Sequence, residues 1–221
     1  MTGKVSVAGI VALTILAILA LLLAFGMFVG FNQDVDAPAA PEQAAAQIDN
    51  SSDRRNAADA WNIDYTTSYI RFSGIESGAS FEGEWQEWTA DIRFDFTDLN
   101  SSSFDVYILA TDVETGNDDR DQALQLSTWF DTGYYPEIHY EARRFSKGDE
   151  GGFAAHGFLT IREKRAPVPL EFTVSEKYGR LLLDGKTVLD RIALEVGTSE
   201  FADTRWINQY VDVVVHVETA D

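Results

Sequence analysis

The sequence predicts an all-β domain built from antiparallel strands, set behind an apolar segment long enough to cross a membrane. Three observations carry that prediction. Apolar residues recur at every second position in one run after another, glycine-containing turns separate those runs, and residues 5–31 hold no charged side chain. Successive side chains of a strand point to opposite faces, so alternation of period two marks a strand with one buried side.

In chain order the apolar run comes first. Its 27 uncharged residues would rise ~40 Å as a helix, more than the ~30 Å of bilayer hydrocarbon. Lys4 precedes the run and Asp34 and Asp36 follow it, which by the positive-inside bias leaves the N-terminus in the cytoplasm and exports the rest. Residues 1–31 are therefore expected to form a transmembrane signal anchor. A cleaved signal peptide is the alternative, because Ala24-Phe25-Gly26 offers a small-x-small site, although the run is about twice the ~7–15 residues of an ordinary signal core. Residues 32–58 change to Asp, Ala, Pro, Gln, Asn and Ser with almost no large apolar side chain. Such a segment buries nothing and acts as a flexible linker.

The folded domain is expected over residues 59–221. Ile92, Phe94 and Phe96 share one parity while Arg93 and Asp95 share the other. The same pattern recurs in Phe104, Val106 and Ile108; in Ile138, Tyr140 and Ala142; in Phe153 to Ile161; in Val168 to Val174; and in Val211 to Val217. Shorter runs at 61–65, 69–72 and 80–85 add strands, and turns are expected at Lys147–Gly152 and Asp184-Gly185. One stretch breaks the alternation: residues 117–126 carry acids at the front and Ala123, Leu124 and Leu126 behind, as a short helix does. Eight or so antiparallel strands close into a barrel or split into a sandwich, and strand count alone does not choose. Phe72, Phe81, Phe94, Phe96, Phe104, Phe130, Tyr140, Phe153, Phe158 and Phe172 are available for the inward faces. They would be the core of a sandwich, or the lining of a barrel wide enough for one elongated ligand.

Composition excludes several functions. Thirty-six acidic against 17 basic residues give a formal charge of -19, which repels phosphate backbones and makes nucleic acid a poor partner. The chain has no cysteine, so disulfides, thiolate nucleophiles and thiolate metal sites are excluded. His139, His156 and His216 each take the parity opposite to the apolar face, and no nucleophile, base and orienter assemble. No catalytic residue and no metal site are therefore expected. Asp118, Asp119 and Asp121 are read as caps of the short helix, and Arg120-Asp121 as a structural pair fixing it.

Several stretches in fixed order resemble one known family. Arg120-Asp121-Gln122-Ala123-Leu124, then Trp129-Phe130-Asp131 and Tyr135-Pro136-Glu137-Ile138, are similar to the YceI-like pattern RD-x-x-L…(F/W)FD…(F/Y)P-x-I. Gly157 to Ile161 with Pro167-Val168-Pro169-Leu170, and Gly83 with Ile92-Arg93-Phe94-Asp95, match further stretches, so the resemblance spans nearly the whole domain. Two departures stand out. Ile63-Asp64 leads to Thr67-Ser68 where the family often has His-Ser, and the stretch Arg191 to Gly197 keeps its ends but not the family's Asp-Phe pair.

The resemblance implies a lipocalin-like antiparallel barrel; with the strand runs, the short helix and the apolar run read above, the expected fold is a barrel of about eight strands with a short lid helix, preceded by one N-terminal transmembrane helix. It implies a binding protein of the bacterial periplasm; with no catalytic constellation and an N-terminal apolar run, the expectation is a non-enzymatic protein tethered in the inner membrane with its domain in the periplasm, or soluble in the periplasm if the signal is cleaved. The cargo it implies is a polyisoprenoid lipid, a polyprenyl quinone or polyprenyl phosphate, and no other cofactor. Shared parity places Phe72, Phe94, Val106, Ile108, Ile138, Tyr140, Leu159 and Leu170 on the channel wall, with Trp129 and Phe130 in the lid and Arg120 as head-group candidate. Expected partners are the isoprenoid, the inner membrane through the N-terminal helix, a second copy in a homodimer, and a membrane cytochrome to which a quinone is presented. A ligand-free envelope stress or adhesion module is the competing reading.

Overall fold

The computed structural model describes residues 57–220. The expected membrane helix and most of the linker lie outside these residues; among the described residues no helix is long and apolar enough to cross a membrane. Among the described residues ten strands form one antiparallel sheet in the order β3-β4-β6-β7-β8-β9-β10-β1-β2-β5. They are β1 (Tyr69–Glu76), β2 (Ala79–Trp85), β3 (Trp88–Arg93), β4 (Ser103–Leu109), β5 (Val113–Glu114), β6 (Glu137–Lys147), β7 (Phe153–Ile161), β8 (Lys164–Lys177), β9 (Arg180–Asp190) and β10 (Tyr210–Glu218). Two short α-helices among the described residues join them, α1 (Asp118–Leu124) and α2 (Thr198–Phe201).

The count is ten rather than eight because two long strands are each bent into two pieces. β2 reaches β3 across Gln86 and Glu87, while β4 reaches β5 across Ala110, Thr111 and Asp112. The pieces stay partnered: β3 pairs with β4, β2 with β5, and backbone bonds from Leu109 to Glu87 and from Gln86 to Asp112 bridge the corner. The sheet therefore curls until its first and last strands share one bent ladder, and a single apolar face is turned inward.

Strand by strand, parity selects that face. In β7 the buried positions are Ala155, Gly157, Leu159 and Ile161, and in β8 they are Val168, Leu170 and Phe172. Pro167 and Pro169, which cannot donate to a ladder, lie in the part of β8 that pairs with β7 alone. Four sequence expectations are corrected. Residues 61–65 form no strand; isolated bridges at Ala60–Arg93, just before them, and Ile63–Thr219, within them, tie the start of the domain to the sheet. Asp184-Gly185 is not a turn but the middle of β9, where Gly185 faces Phe172 on one side and Val215 on the other. Phe96, beyond the end of β3, is 61% exposed. Phe158 turns outward, where the Arg165 guanidinium sits 3.7 Å from its ring centre.

The outer face is held by charge pairs. Asp105 receives Arg143 at 2.6 Å and His139 at 2.7 Å, and His139 stacks on Tyr107 at 4.3 Å. His216 bonds Asp184 at 2.7 Å and Glu218 at 3.2 Å. Burial disfavours its charged form, but the two carboxylates outweigh burial and hold its pKa above the ordinary histidine value. A raised folded-state pKa means that this contribution to stability is complete below the unfolded value near ~6.5 and fades as pH rises through the folded value. An NMR titration of the His216 ring should give a pKa above that of a free imidazole, and Asp184→Asn should bring it down.

Candidate functional site

The inward face encloses two adjoining cavities. The inner one, about 90 Å³, is bounded by Ile70, Trp88, Ile92, Phe104, Val106, Ile108, Ile138, Tyr140, Leu159, Val168, Leu170, Leu183 and Val215, among others. Hydrocarbon and aromatic groups make up nearly the whole wall, so no set of polar partners is present to hold water there. The outer one, about 360 Å³, lies beneath α1 and the segment after β9, and is within the ~300–1,000 Å³ range of small-molecule sites. Trp85, Ile161 and Leu189 border both.

Most of the residues chosen from sequence sit on these walls. Val106, Ile108, Ile138, Tyr140, Leu159 and Leu170 line the inner cavity; Phe72, Arg120, Trp129 and Phe130 line the outer one. Phe94 lines neither. It packs within an aromatic cluster at the end of the interior remote from α1, its ring 4.9 Å from Phe153 and 5.1 Å from Phe172.

Several rings lie flat because a glycine sits beneath them. A Cβ at Gly83 would fall 2.4 Å from the Phe72 ring, one at Gly74 2.9 Å from Phe81, and one at Gly157 2.3 Å from the Tyr140 hydroxyl. Ring-over-glycine packing presses each aromatic against the sheet and leaves the centre free. The Tyr140 hydroxyl and the Trp85 indole nitrogen are buried without a hydrogen-bond partner among the described residues. Burial pushes the Tyr140 pKa up, so the phenol stays neutral.

The outer cavity is roofed from two directions. Asn117 caps α1 by accepting from the Arg120 amide at 3.0 Å, which sets Leu124 facing inward. After α1, Trp129 lies against Gly197 and stacks on Phe201 at 5.6 Å, while Phe130 approaches Trp85 at 6.5 Å. Gly197 has φ +70 and its absent side chain leaves the place Trp129 occupies. Arg120 is not paired with Asp121. Its guanidinium bonds Glu76 at 3.0 Å and Thr115 at 3.2 Å and lies over the Phe81 ring, and Asp121 instead accepts from Thr115.

Arg191, 4% exposed, is the residue the parity argument could not reach. It donates to the carbonyls of Asn208, Val196, Phe201 and Ile207, at 2.7–3.2 Å. This gathers residues 196–208 onto the mouth of the barrel. Among the described residues no group of three or more histidine or carboxylate side chains is arranged to hold a metal ion.

Comparisons with known proteins agree with this geometry. The YceI-like domain matches residues 61–219. No curated protein is similar enough to count as a match. Among solved structures, BcnA of Burkholderia cenocepacia superposes with a TM-score of 0.68 at 22% identity, over 72% of this chain and 100% of that one. The YCEI protein of Campylobacter jejuni gives 0.53 at 23% identity, over 63% and 84%. A polyisoprenoid binding domain from Saccharophagus degradans, implicated in plant cell wall breakdown, gives 0.57 at 14% identity, over 73% and 99%. At these identities the superpositions speak for the fold: a lipocalin-like, antiparallel curled sheet. With residues 61–219 matched, the chain belongs to the YceI-like domain family.

Proposed function

We propose that this domain is a non-enzymatic carrier of a polyisoprenoid lipid with an uncharged head, of the polyprenyl quinone kind. The observation that carries the reading is the pair of adjoining cavities, the inner walled by apolar groups and the outer bearing the few polar ones. An isoprenoid tail leaves water at about 25 cal/mol per Å² of apolar area buried, and a dry interior is a strong sink for it. The tail takes the inner cavity, widening it, and the head takes the outer one beneath α1. A relative in fold, the Saccharophagus degradans domain, is itself described as polyisoprenoid binding.

Charge favours the neutral head. The outer cavity offers two guanidinium groups, Arg120 and Arg191, against the carboxylates of Glu76 and Asp119. Arg120 is engaged by Glu76, and Arg191 is engaged by four carbonyls. Neither is left over to clamp a phosphate, and the charge of -19 opposes one. In this reading the N-terminal apolar run anchors the chain in the inner membrane and the linker keeps the periplasmic barrel near the bilayer where such lipids reside.

Organic extraction of the purified full chain, followed by mass spectrometry, tests the proposal. A polyprenyl quinone in the extract is expected. Recovery of a polyprenyl phosphate would overturn the neutral head, and an empty extract from native membranes would overturn the carrier. Trp129→Ala removes the stacked contact with Phe201, an aromatic pair worth about 0.5–1.5 kcal/mol. It should release a bound isoprenoid several-fold faster while shifting Tm little, as read by transfer to acceptor vesicles.

A further inference from the structure

We infer that a plug of five phenylalanines limits the length of isoprenoid tail this barrel accepts, with Phe104 as the residue that sets the stop; the inference rests on the carrier reading above. Phe94, Phe104, Phe145, Phe153 and Phe172 form one cluster. Phe104 stands 4.8 Å from Phe145 and 5.4 Å from Phe172, and Phe153 stands 5.6 Å from Phe172. The rings come from β4, β6, β7, β8 and the residue following β3. The sheet itself therefore holds each in place. Only Phe104 belongs both to this cluster and to the wall of the inner cavity, and it is 2% exposed.

Behind the plug the start of the domain crosses the barrel, with the Trp61 amide donating to the Ile92 carbonyl at 2.8 Å and Ile63 bridged to Thr219. The interior is thus blind at that end. A tail entering beneath α1 gains affinity with each isoprene unit it buries until its tip meets Phe104. Units beyond that point stay in the mouth or in water and add nothing. Affinity plotted against tail length should rise and then level, and the length at which it levels reports the distance to the plug.

The test uses the full chain, stripped of lipid in detergent and titrated with polyprenols of increasing isoprene number by native mass spectrometry. Phe104→Leu draws the stop back and should move the levelling point to longer tails by about one unit. Leu170→Phe puts a ring into the inner cavity ahead of the plug and should move it to shorter tails. This second variant decides the question by itself if Phe104→Leu does not fold. Polyprenol binding with an unchanged levelling point in the folded variants overturns the plug as a ruler and leaves the carrier standing. Failure of the wild-type chain to bind any polyprenol overturns both.

Discussion

Arg191→Ala should lower the free energy of unfolding by about 3–5 kcal/mol, since several partly buried carbonyls lose their donor at once and each costs about 1–3 kcal/mol when left unsatisfied. The four carbonyls that now share its guanidinium would lose their donor together. The loss is also directional. Val196, Phe201 and Ile207 are part of the outer cavity wall, so the roof should loosen before the sheet does. Urea denaturation gives the total, and hydrogen exchange over residues 192–209 should show that segment opening first. Arg191→Lys should rescue little, because an ammonium cannot reproduce the planar fork of donors.

If the barrel carries an isoprenoid as proposed, Gly157→Ala should empty the inner cavity of it. A methyl group at that position meets the Tyr140 ring and hydroxyl at 2.3 Å, so the ring has to lift away from the sheet, and the space it lifts into is the lumen. Overpacking of this kind costs about 1–3 kcal/mol in stability. The larger effect should be on binding, with the retained isoprenoid in a membrane extract reduced at least tenfold. Tyr140→Leu added to Gly157→Ala should restore both properties in good part, since the shorter side chain can share the space. Strong coupling between the two substitutions in a double-mutant cycle is the expected signature, and additivity would count against the packing account.

Much of the barrel was legible because one face of each strand is buried and parity then decides orientation. β7, β8 and β10 follow it almost without exception, and α1 announced itself through Asn117 and the acids behind it. What parity missed has identifiable causes. In β6 the register shifts between Ala142 and Phe145, where Arg143 and Arg144 both face out. This bulge re-aims Phe145 inward, whereas unbroken alternation would have put Arg144 there. Gly185 read as a turn because glycine after aspartate usually is one; its place in β9 is explained by the Leu170 side chain, 3.1 Å from where a Cβ would be. The mouth was least legible. Arg191 acts through backbone carbonyls, which leave no side-chain pattern, and Trp85 and Leu189 became wall residues only when distant strands were brought together.

The pairing of the first strand with the last has a consequence for how the domain is made. Tyr69 in β1 stands opposite His216 in β10, and Ser68 accepts from the Glu218 amide across 150 positions of chain. Contacts of such separation are slow to form because the loop they close is nearly the entire domain. Hairpins such as β6–β7 and β8–β9 can assemble as soon as they emerge, but β1 and β9 each wait with an open edge for β10. Until residues 210–218 arrive, the molecule is a curled ribbon with adhesive margins and no enclosed interior. If the domain carries a lipid as proposed, it can enclose one only after β10 has closed these margins.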